Sequence, residues 1–587
     1  MTKRWIKREA AFNKDAYDLF IQNGYGRITA TTLVTSGITT LEDADIFLNS
    51  KELHDPALIR NIDKVSDIIL KYISNNEKIC IFGDYDADGT TATAIAYTAL
   101  KAFKANVVYR LPDRINEGYG ISKKAIIEQL SEGVKLFITV DNGIRAIDEI
   151  QYAIDNGAEV IVLDHHQPGD VLPNATAIID LYIEGETYPF IDLTGSALAW
   201  KVFSYILEDY GFEDVANSLI DLAAIGLIAD VAPLIGENRV IVKRAIEYMR
   251  SPMYCRKGIK KLFNDEMSNL TAENISFLIA PRINAAGRLL ENGAQIPVSL
   301  FLEEDDEKAV ELAQRLTQIN SDRKLVQSNC YKALKPQIEE RINAGDKVLV
   351  LFAEGAPSGV VGLLAGNATE EYHRPSIVFS AKNDINGNVI WTGSARSIPE
   401  YHMLNALTEC SDCLKTFGGH ALAAGLSIEP NEDALLALRK KLNDCCSLTD
   451  EEVSPTVYWD IEINEEDVGQ VLIDELVKLE PFGEGCRRPT FKIKLNVLPN
   501  GSKLYDTIGE TAEHLKLYCK TFTAIGFWMV SKYEEDEQPR LIEAIGYVDK
   551  KCFKGNEYFQ FVMDDYSPYI KEDSNLVTDM KDLLCNL

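Results

Sequence analysis

The chain has 587 residues, 26% of which are charged, and a formal net charge of −30 at pH 7. This length predicts three or four domains, at least one with a large buried core. The first residues are charged, and no stretch approaches the roughly 20 apolar residues of a membrane span, so we expect a soluble cytoplasmic protein without a membrane partner. The acidic balance excludes a protein that wraps nucleic acid over its whole surface, although it allows a local basic track.

The predicted elements change in kind several times along the chain. Helical patterns come first, and from Lys78 short apolar runs alternate with helical segments, which is typical of βαβ units around a buried parallel sheet. Helical periods then dominate until a second alternation starts at DKVLVLF, and strand-like runs follow Glu451. The fold class is therefore predicted as α/β, with an N-terminal helical lead-in, a parallel-sheet domain, a helical connector, a second α/β domain, a C-terminal β-barrel and a tail, at residues 1–70, 71–235, 236–345, 346–445, 452–570 and 571–587.

The strongest local signal is the segment GDYDADG at residues 83–89, which lies between an apolar strand and a helix that opens at Thr90. Its three carboxylates repel one another unless cations lie between them. The spelling also matches the start of an EF-hand. That loop, however, needs a bidentate Glu where this chain has Ile95, and a flanking helix where this chain has a strand. The segment therefore predicts a cation site of another kind.

Two later strands also end in candidate ligands. Asp141 closes the run FITVD, and Asp164, His165 and His166 follow VIVL. Alone, an Asp before Asn-Gly is typical of a turn, but the carboxyl ends of parallel strands meet at one edge of a sheet. Asp230 ends the run LIDLAAIGLIAD, where it is either a further ligand or a residue that terminates a helix ahead of a proline.

Carboxylates combined with an imidazole favour Mn²⁺ or Mg²⁺ over zinc. Two such ions about 4 Å apart would hold the oxygens of a phosphate that undergoes in-line displacement. The chain has no G-x-x-x-x-G-K-[ST] loop and no G-x-S-x-G elbow, which disfavours an NTP-driven motor and a serine hydrolase. Cys410 and Cys413, with Cys445 and Cys446, do not complete a zinc-binding spacing. Metal-dependent hydrolysis of a phosphoester is the reaction that remains.

At this point the residues resemble those of the DHH phosphoesterases, a family named for the triplet seen here at residues 164–166. Within that family the chain is similar to the single-strand-specific 5′→3′ DNA exonucleases of bacteria. The resemblance covers nearly the whole length and rests on the strings GDYDADGTTA, EGYG, VDNG, DHH, GLIADVAPL, PRINAAGR, GVVGLLA, SARS, FGGHALAAG, HLKL and AIGFW. It implies a DHH catalytic domain, a helical connector, a DHH-associated substrate-binding domain and an OB-fold-like C-terminal domain, with a narrow cleft that admits single strands.

The resemblance also assigns roles to the candidate ligands. Asp84 and Asp86 would hold the first metal ion, and Asp141 would lie between the two ions as a catalytic bridging ligand. The second ion would be held by three further side chains: Asp88, His165 and Asp230. His166, the second catalytic residue, would lie beside the scissile phosphate and donate to the developing charge, or alternatively support the ligands from behind.

Recognition of a 5′ end needs an anion pocket, for which arginine is well suited. By resemblance, the substrate-binding residues are Arg114, Arg288, Ser394 and Arg396, together with Gly418, Gly419 and His420, and the nearby alternatives are Arg110 and Arg282. One position departs from the family pattern. A histidine commonly stands two residues before the GVVG segment, and this chain has Pro357 there, which cannot donate a hydrogen bond. The C-terminal domain offers Arg487, Arg488, Lys492 and Lys494 as basic candidates for binding the strand. Phe491 and Phe527 are candidate stacking surfaces, although we expect both to pack in the core.

The resemblance implies hydrolysis of single-stranded DNA to 5′-mononucleotides, from the 5′ end, in DNA repair and recombination. It also implies two ions of Mn²⁺ or Mg²⁺ as cofactors, a monomer, and a single-strand-binding protein and a helicase as partners. A relative that acts on short RNA or a small phosphorylated nucleotide is an alternative, although such proteins are usually shorter and lack the C-terminal domain. A non-catalytic scaffold is another, but it would be expected to lose metal ligands, and none is missing.

Overall fold

The computed structural model describes residues 3–8, 12–114, 117, 120–251, 253–264, 267–383, 387–509, 511–553 and 556–569. The predicted tail, 571–587, lies outside these residues. Within them, no helix combines the length and the apolar character that crossing a membrane requires. The described residues form two compact units, one within residues 50–454 and 481–485, and the other within residues 3–49, 455–480 and 486–569.

The N-terminal segment contains one strand in addition to the predicted helices. Its elements are β1 (Arg4–Lys7), α1 (Lys14–Gln22), α2 (Arg27–Thr35) and α3 (Leu41–Asn49). Strand β1 runs parallel to a strand near residue 456, with Arg4 opposite Thr456. Residues 1–49 therefore belong to the C-terminal unit, whereas the sequence predicts a lead-in over residues 1–70. Four residues of strand are too few to produce a readable alternation.

The first α/β region is built on a five-stranded parallel sheet of order β3-β2-β4-β5-β6. Its elements in chain order are a 3₁₀ turn (Pro56–Leu58), α4 (Ile62–Ser74), β2 (Lys78–Phe82), α5 (Ala87–Ala102), β3 (Val107–Arg110), α6 (Lys123–Ser131), β4 (Val134–Val140), α7 (Ile147–Asp155), β5 (Glu159–Leu163), β6 (Ala177–Ile179), α8 (Gly195–Glu208), α9 (Glu213–Ser218) and α10 (Ile220–Ala229). In β2, Ile79 and Ile81 pack into one apolar cluster and Cys80 and Phe82 into another. Because side chains alternate along a strand, the sheet is covered on both faces.

A helical connector follows, as predicted. It comprises α11 (Gly236–Arg250), α12 (Lys257–Leu262), a 3₁₀ turn (Met267–Asn269), α13 (Ala272–Asn274), a π-helical segment (Ile275–Ile279), α14 (Ala280–Leu289), α15 (Gln295–Leu302) and the long α16 (Asp306–Asn343). The π-helical segment directly precedes α14, which carries the PRINAAGR string. Irregular helix of this kind is frequent at functional sites.

The second α/β domain has a mixed sheet of order β10-β11-β9-β8-β7. Its elements are β7 (Leu349–Phe352), α17 (Ser358–Tyr372), β8 (Ser376–Asn383), β9 (Val389–Arg396), α18 (Met403–Glu409), a 3₁₀ turn (Ser411–Cys413), β10 (Thr416–Gly419), β11 (Ala423–Ile428) and α19 (Glu432–Asp444). Strands β7 and β8 are parallel, and the other pairs are antiparallel. This unit confirms the predicted second α/β domain.

The C-terminal strands form a seven-stranded sheet of order β13-β14-β18-β19-β17-β16-β15. The elements are β12 (Thr456–Trp459), β13 (Ile461–Ile463), a 3₁₀ turn (Glu465–Asp467), α20 (Gln470–Leu479), β14 (Phe491–Asn496), β15 (Tyr505–Ile508), β16 (His514–Tyr518), β17 (Thr523–Gly526), α21 (Val530–Glu535), β18 (Leu541–Phe553) and β19 (Asn556–Pro568). The order of a parallel-sheet domain, a helical connector, a second α/β domain and a C-terminal β domain confirms the predicted fold class.

Candidate metal centre and phosphate-binding cleft

The first loop of the parallel sheet runs from the end of β2 into the N-terminus of α5. Asp86 caps this helix, because its Oδ1 accepts a hydrogen bond from the Gly89 N–H at 3.0 Å. Asp84 precedes the cap, and Asp88 lies in the first helical turn, where both side chains are buried. The positive end of the helix dipole favours negative charge at this place. Local geometry thus explains how three carboxylates can share one turn.

The second loop, after β4, presents Asp141 in a left-handed backbone conformation with φ of 62°. Asp tolerates this conformation better than most residues do, and such strain is concentrated at functional sites. The Asp141 Oδ1 lies 3.0 Å from the Nε2 of His165, which follows β5. The same Nε2 is 3.7 Å from the Oδ2 of Asp88. The three loops therefore converge on His165.

The third loop is organised by Asp164, which is 1% exposed. Its Oδ1 accepts the His165 N–H at 2.8 Å and lies 2.7 Å from the Nδ1 of His166, and its Oδ2 accepts the Ile144 N–H at 2.9 Å. Asp164 thus fixes the His166 ring and links the second loop to the third. The resemblance assigns roles to the two histidines of the DHH triplet, whereas in the structure its aspartate, Asp164, also positions other residues of the site.

Three groups of potential ligand atoms each lie within 4.8 Å of one another. Two of them match the predicted division of ligands between two ions, namely Asp84, Asp86 and Asp141, and Asp88, His165 and Asp230. The third group joins His166 to Asp141 and His165, so His166 is close enough to be a ligand as well. Asp230 is the C-cap residue of α10, which ends at Ala229, so it terminates the helix as the alternative interpretation expected, and it is also within reach of the ligand cluster.

Burial and mutual repulsion raise the pKa values of four clustered carboxylates, namely Asp84, Asp86, Asp141 and Asp230. The pKa of Asp141 lies well above its ordinary range because the side chain is buried and because Asp88, Asp86 and Asp84 are close to it. Burial and the charge of Asp86 raise the pKa of Asp84 in the same way. Asp230 is exposed at the cleft, yet desolvation by surrounding atoms and the charges of Asp88 and Asp86 raise its pKa to about 8. The ionised forms of these carboxylates are therefore unfavourable unless a positive charge lies between them.

The two histidines differ in their pKa values. Burial lowers the pKa of His165, which suits a neutral imidazole ligand. Burial also acts to lower the pKa of His166, but its hydrogen bond to Asp164 and the charge of Asp164 outweigh that effect and raise the pKa to about 9. His166 therefore carries a proton at neutral pH in the metal-free protein.

The donor set fits divalent cations. The Oδ1 of Asp84 and the Oδ2 of Asp88 are buried and have no hydrogen-bond partner among the described residues. A buried carboxylate oxygen without a partner is costly, and a cation would satisfy it. Oxygen ligands with imidazole are the donors that Mn²⁺ and Mg²⁺ accept. The cysteines 410, 413, 445 and 446 do not occur in any comparable group within the described chain.

Two helices behind the cluster contribute residues that the sequence did not single out. Thr194 Oγ1 donates to the Asp88 Oδ1 at 2.8 Å, and the Ser196 N–H donates to the same oxygen at 3.2 Å. A Cβ on Gly195 would lie 2.5 Å from the Asp141 Cβ, and one on Gly226 would lie 2.3 Å from the Asp88 Oδ1. The helices α8 and α10 therefore need glycine where they approach the carboxylates. The sequence feature that could have indicated these residues is the string TGS at residues 194–196, at the start of α8.

Three of the predicted substrate-binding residues, Arg288, Ser394 and Arg396, lie where α14 meets the N-terminus of α17 and strand β9. Arg288 Nη1 donates to the Gly359 carbonyl oxygen at 3.2 Å, and Arg396 Nη1 donates to the Ser394 Oγ at 3.3 Å. A Cβ on Gly362 would lie 3.0 Å from the Ser394 Oγ and 3.3 Å from an Arg396 nitrogen. Arginines at a helix N-terminus make a site suited to a phosphate.

Arg114 adds to this positive cluster, and so does Arg323, which the sequence analysis missed. The Arg114 guanidinium lies 4.8 Å from the centre of the Tyr85 ring. Burial and the charges of Arg114 and Arg323 lower the pKa of Arg288 to about 10. Burial and Arg114 likewise lower the pKa of Arg396. Arg323 stands in the charged helix α16, whose composition resembles that of any solvated helix, so no local signal marked it.

The two alternative arginines are engaged elsewhere. Arg110 forms an ion pair with Glu117 at 2.6 Å, and Arg282 donates to the Leu262 carbonyl oxygen. In the EGYG string only Glu117 and Gly120 are among the described residues. Glu117 therefore holds the β3 loop through Arg110 and leaves Arg114 as the arginine of that loop that faces the cluster.

The GGH turn borders the histidine side of the site. Gly418 and Gly419 end β10 and are exposed, and His420 lines the same cavity as His165 and His166. Gly419 has φ of 148°, and a Cβ there would lie 2.4 Å from the Ala423 carbonyl oxygen. Pro357 is exposed and immediately precedes α17. The second α/β domain thus contributes to both sides of the metal centre.

In the C-terminal domain, one expectation is wrong. Phe491 is fully buried, as expected, but Phe527 is 51% exposed, because it follows β17 in a loop instead of pointing inward. Lys492 and Lys494 both pair with Glu543, at 3.4 Å and 4.0 Å. Much of their charge is therefore neutralised within the domain.

Three family models match this chain. The model described as DHH family, N-terminal domain, covers residues 78–227, the DHHA1 domain covers residues 345–448, and the RecJ OB domain covers residues 459–565. The matched segments correspond to the parallel-sheet region, the second α/β domain and the C-terminal sheet. The family prediction and the prediction of an OB-like domain are confirmed.

Curated relatives carry the name single-stranded-DNA-specific exonuclease RecJ. The protein of Bacillus subtilis is 35% identical over 497 residues, which is 84% of this chain and 61% of the relative, so the chain spans less than two thirds of that protein. The protein of Haemophilus influenzae is 30% identical over 547 residues, which is 88% of this chain and 92% of the relative. The crystal structure of RecJ from Thermus thermophilus in complex with Mn²⁺ superimposes with a TM-score of 0.77 and 26% identity, over 97% of this chain and 80% of that one.

Proposed function

The chain belongs to the RecJ family of single-stranded-DNA-specific exonucleases, and we propose that it is itself a metal-dependent exonuclease that degrades single-stranded DNA in the 5′→3′ direction. Its products would be 5′-mononucleotides, and its role would be in DNA repair and recombination. The observation that carries the proposal is the convergence of six candidate ligands beside a pocket of arginines. Divalent cations would offset the repulsion among the carboxylates, and a phosphodiester would offset the charge of the arginines.

In this proposal the ligands are those predicted from the sequence. Asp84 and Asp86 would hold one ion of Mn²⁺ or Mg²⁺, three further side chains would hold the other, and Asp141 would be a ligand shared by both. The three are Asp88, His165 and Asp230. Bound there, the cations would supply Lewis-acid stabilisation of phosphate charge and a nucleophilic water. Asp164, Thr194 and Ser196 orient the ligands through the hydrogen bonds described above.

His166 and the arginines act on the substrate itself. Burial acts to lower the pKa of His166, but its hydrogen bond to Asp164 raises it, which favours a protonated ring that would donate a hydrogen bond to a phosphate oxygen that gains charge as the reaction proceeds. Arg114, Arg288 and Arg396, with Ser394, bind the 5′-terminal phosphate, and Arg323 strengthens the positive field. Gly418, Gly419 and His420 contact the strand from the second α/β domain. Fixed arginines and a fixed metal centre set the distance from the strand end to the bond that is cut.

We further propose that the protein is a cytoplasmic monomer, that its domain limits from residue 71 onward are those predicted from the sequence, and that a single-strand-binding protein and a helicase are its partners. These partners would expose and deliver the single strand. The family name supports only the single-stranded substrate. Co-elution of purified chain with a candidate partner, measured by light scattering, tests both the association and the monomeric state.

The decisive experiment uses purified protein, Mn²⁺ or Mg²⁺, and DNA labelled at the 5′ or the 3′ end, in single-stranded and duplex form. We expect labelled mononucleotides to appear first from 5′-labelled single strands, and very slow release from duplex with blunt ends. Duplex preference, or mononucleotides released first from the 3′ label, would refute the proposal. EDTA should stop the reaction, and an excess of Mn²⁺ should restore it.

A further inference from the structure

A cavity of about 670 Å³ lies beside the histidine side of the metal centre. It is lined by the loops after β4 and β5, by Tyr182 after β6, and by His420 from the second α/β domain. This volume falls within the roughly 300–1,000 Å³ that is typical of small-ligand sites. The residues of the arginine cluster do not line it. The cavity is therefore a separate space that adjoins the site of reaction.

The lining of the cavity suits a nucleobase. Ile121, Ile144 and Ala146 provide apolar surface, and Arg145 and Glu149 provide polar groups. Ligand sites typically combine an apolar wall with a few polar groups of this kind. Arg145 is fixed at the entrance, because its Nε donates to the Gln167 carbonyl oxygen at 2.8 Å.

Tyr182 is the aromatic side chain of this cavity, and it is held at two points. Its hydroxyl donates to the Asp192 Oδ1 at 3.3 Å, and its backbone N–H donates to the Asp180 Oδ1 at 2.9 Å. A half-buried ring that is anchored in this way offers a stacking surface at little cost in side-chain entropy. Stacking on an aromatic ring accepts every base, as an enzyme without sequence preference requires.

The strand order of the parallel sheet arranges these sites in a row. Across the sheet, from one edge to the other, Arg114 follows β3, and Asp84 and Asp86 follow β2. Asp141 follows the central strand β4. His165 and His166 follow β5, and Tyr182 follows β6 at the other edge. The arginine cluster is thus next to the first metal ligands, and the cavity is next to the last ones. A strand whose 5′ end is bound by the arginines passes the metal centre and reaches the cavity.

The direction of the reaction determines which nucleotide occupies the cavity. Release of a 5′-mononucleotide requires that a water oxygen form a new bond to the second phosphorus while the bond from that phosphorus to the 3′ oxygen of the first nucleotide breaks. The 3′ oxygen takes up a proton and leaves with the nucleotide at the arginines. The scissile phosphate stays on the second nucleotide, which lies beyond His166.

From this arrangement we infer that the cavity binds the base of the second nucleotide, with Tyr182 as the stacking residue and Arg145 at the entrance. The inference rests on the proposed exonuclease function and extends it, because it assigns a subsite on the 3′ side of the cut. A base seated there holds the scissile phosphate at the metal centre during the reaction. It must leave the cavity before it can become the new 5′ end.

The test compares octanucleotides that carry a 5′ phosphate and differ in whether, and where, one base is missing. One has natural bases throughout, one has a tetrahydrofuran abasic residue at the second position, and one has it at the sixth position. The measured quantity is kcat/KM for release of the first nucleotide by the full chain with Mn²⁺. We expect the second-position substrate to be cleaved about tenfold less efficiently than the natural one, in line with the loss of one stacked base. The sixth-position substrate should differ by less than about twofold.

Variants test whether the cavity determines the ratio of kcat/KM on the natural octanucleotide to kcat/KM on the second-position abasic substrate. Tyr182→Ala should lower kcat/KM about tenfold on the natural octanucleotide and leave the second-position abasic substrate nearly unchanged, so that the ratio falls to about one. Tyr182→Phe keeps the ring and should keep the ratio. Arg145→Ala, at an exposed side chain, should lower the ratio about threefold, which provides a second test if Tyr182→Ala does not fold. Lys124→Ala, on the exposed face of α6, is the matched control and should change nothing.

The results that would refute this subsite differ from the result that would refute the proposed function. Equal cleavage of the natural and second-position abasic substrates by the unmodified protein would overturn the inference, as would a tenfold ratio that persists in Tyr182→Ala. If the unmodified protein released no mononucleotide from any of the three substrates, the proposed function would fail instead.

Discussion

Two clusters of like charge lie side by side in this molecule, and they respond to their own repulsion in different ways. Carboxylates cluster at the ends of β2, β4 and β5, and burial and repulsion raise the pKa values of Asp84 and Asp141. At the junction of α14, α16, α17 and β9, arginines are gathered, and the pKa of Arg288 falls to about 10. The negative cluster can relieve repulsion by binding protons. The positive one stays charged at neutral pH.

This difference indicates what each cluster requires. The charge of the carboxylates depends on pH and on cations, so their stability and their activity should be linked to metal binding. The charge of the arginines is constant, so only an anion can offset it. Substrate binding and metal binding should therefore be separable by mutation.

Asp141→Asn should abolish hydrolysis, with a loss on the order of a thousandfold or more, because the ligand shared by both ions is lost. The fold should survive, since Asn tolerates the left-handed backbone at this position and removal of one charge lessens repulsion. Rates on 5′-phosphorylated single strands and thermal unfolding without metal measure the two effects. Asp148→Asn, at an exposed side chain of α7, is the control. Activity of the Asp141 variant within tenfold of the unmodified protein would remove Asp141 from the metal centre.

Gly195→Ala should lower activity about a hundredfold, because the new Cβ would lie 2.5 Å from that of Asp141 and displace this ligand. The matched control is Gly366→Ala in α17, where a Cβ meets no atom within 4 Å. The control should keep full activity and equal or slightly greater stability. Rates and unfolding temperatures of the two variants, measured in parallel, decide the matter. Similar activity in both variants would mean that α8 can yield without disturbing the metal ligands.

Arg323→Ala should reduce the preference for a 5′ phosphate over a 5′ hydroxyl about tenfold, because it removes one charge from the arginine cluster. Metal binding should not change, which separates this cluster from the carboxylates. Arg315→Ala lies in the same helix with an exposed side chain and serves as the control. The measurement is the ratio of kcat/KM on the two kinds of 5′ end. An unchanged ratio in Arg323→Ala would exclude Arg323 from the anion pocket.

Mn²⁺ should stabilise the protein more at pH 8 than at pH 6, by roughly 5 °C in unfolding temperature. The folded-state pKa values of Asp84, Asp141 and Asp230 are raised above the ordinary 3.8, so without metal the folded protein binds more protons than the unfolded chain. Stability from these groups is complete below about pH 4 and falls as pH rises toward 8, the pKa of Asp230. Cations that replace these protons restore it. Equal shifts at both pH values in a thermal melt would contradict this linkage.

The sequence was most informative where function is carried by local geometry. A buried parallel strand followed by a carboxylate or histidine predicts where that side chain will lie, because all such strands end at one edge. Asp84, Asp141 and His165 could therefore be brought together without a structure. Their grouping in the structure agrees with that expectation.

The sequence was least informative where a residue acts through a distant contact. Thr194, Gly195 and Gly226 support ligands that are tens of residues away, and their types are ordinary in helices. Arg323 stands among other charged residues of a long helix. Strand β1 consists of four residues, and its partner begins at residue 456. In each case the decisive interaction is a tertiary contact that leaves no periodic trace in the chain.

The central claim is a centre of two ions held by six side chains, and a crystal structure with Mn²⁺, using anomalous scattering, tests it most directly. We expect two anomalous peaks about 4 Å apart, with Asp141 between them. The remaining protein ligands should be Asp84, Asp86, Asp88, His165 and Asp230. A single peak, or two peaks that do not share Asp141, would contradict it.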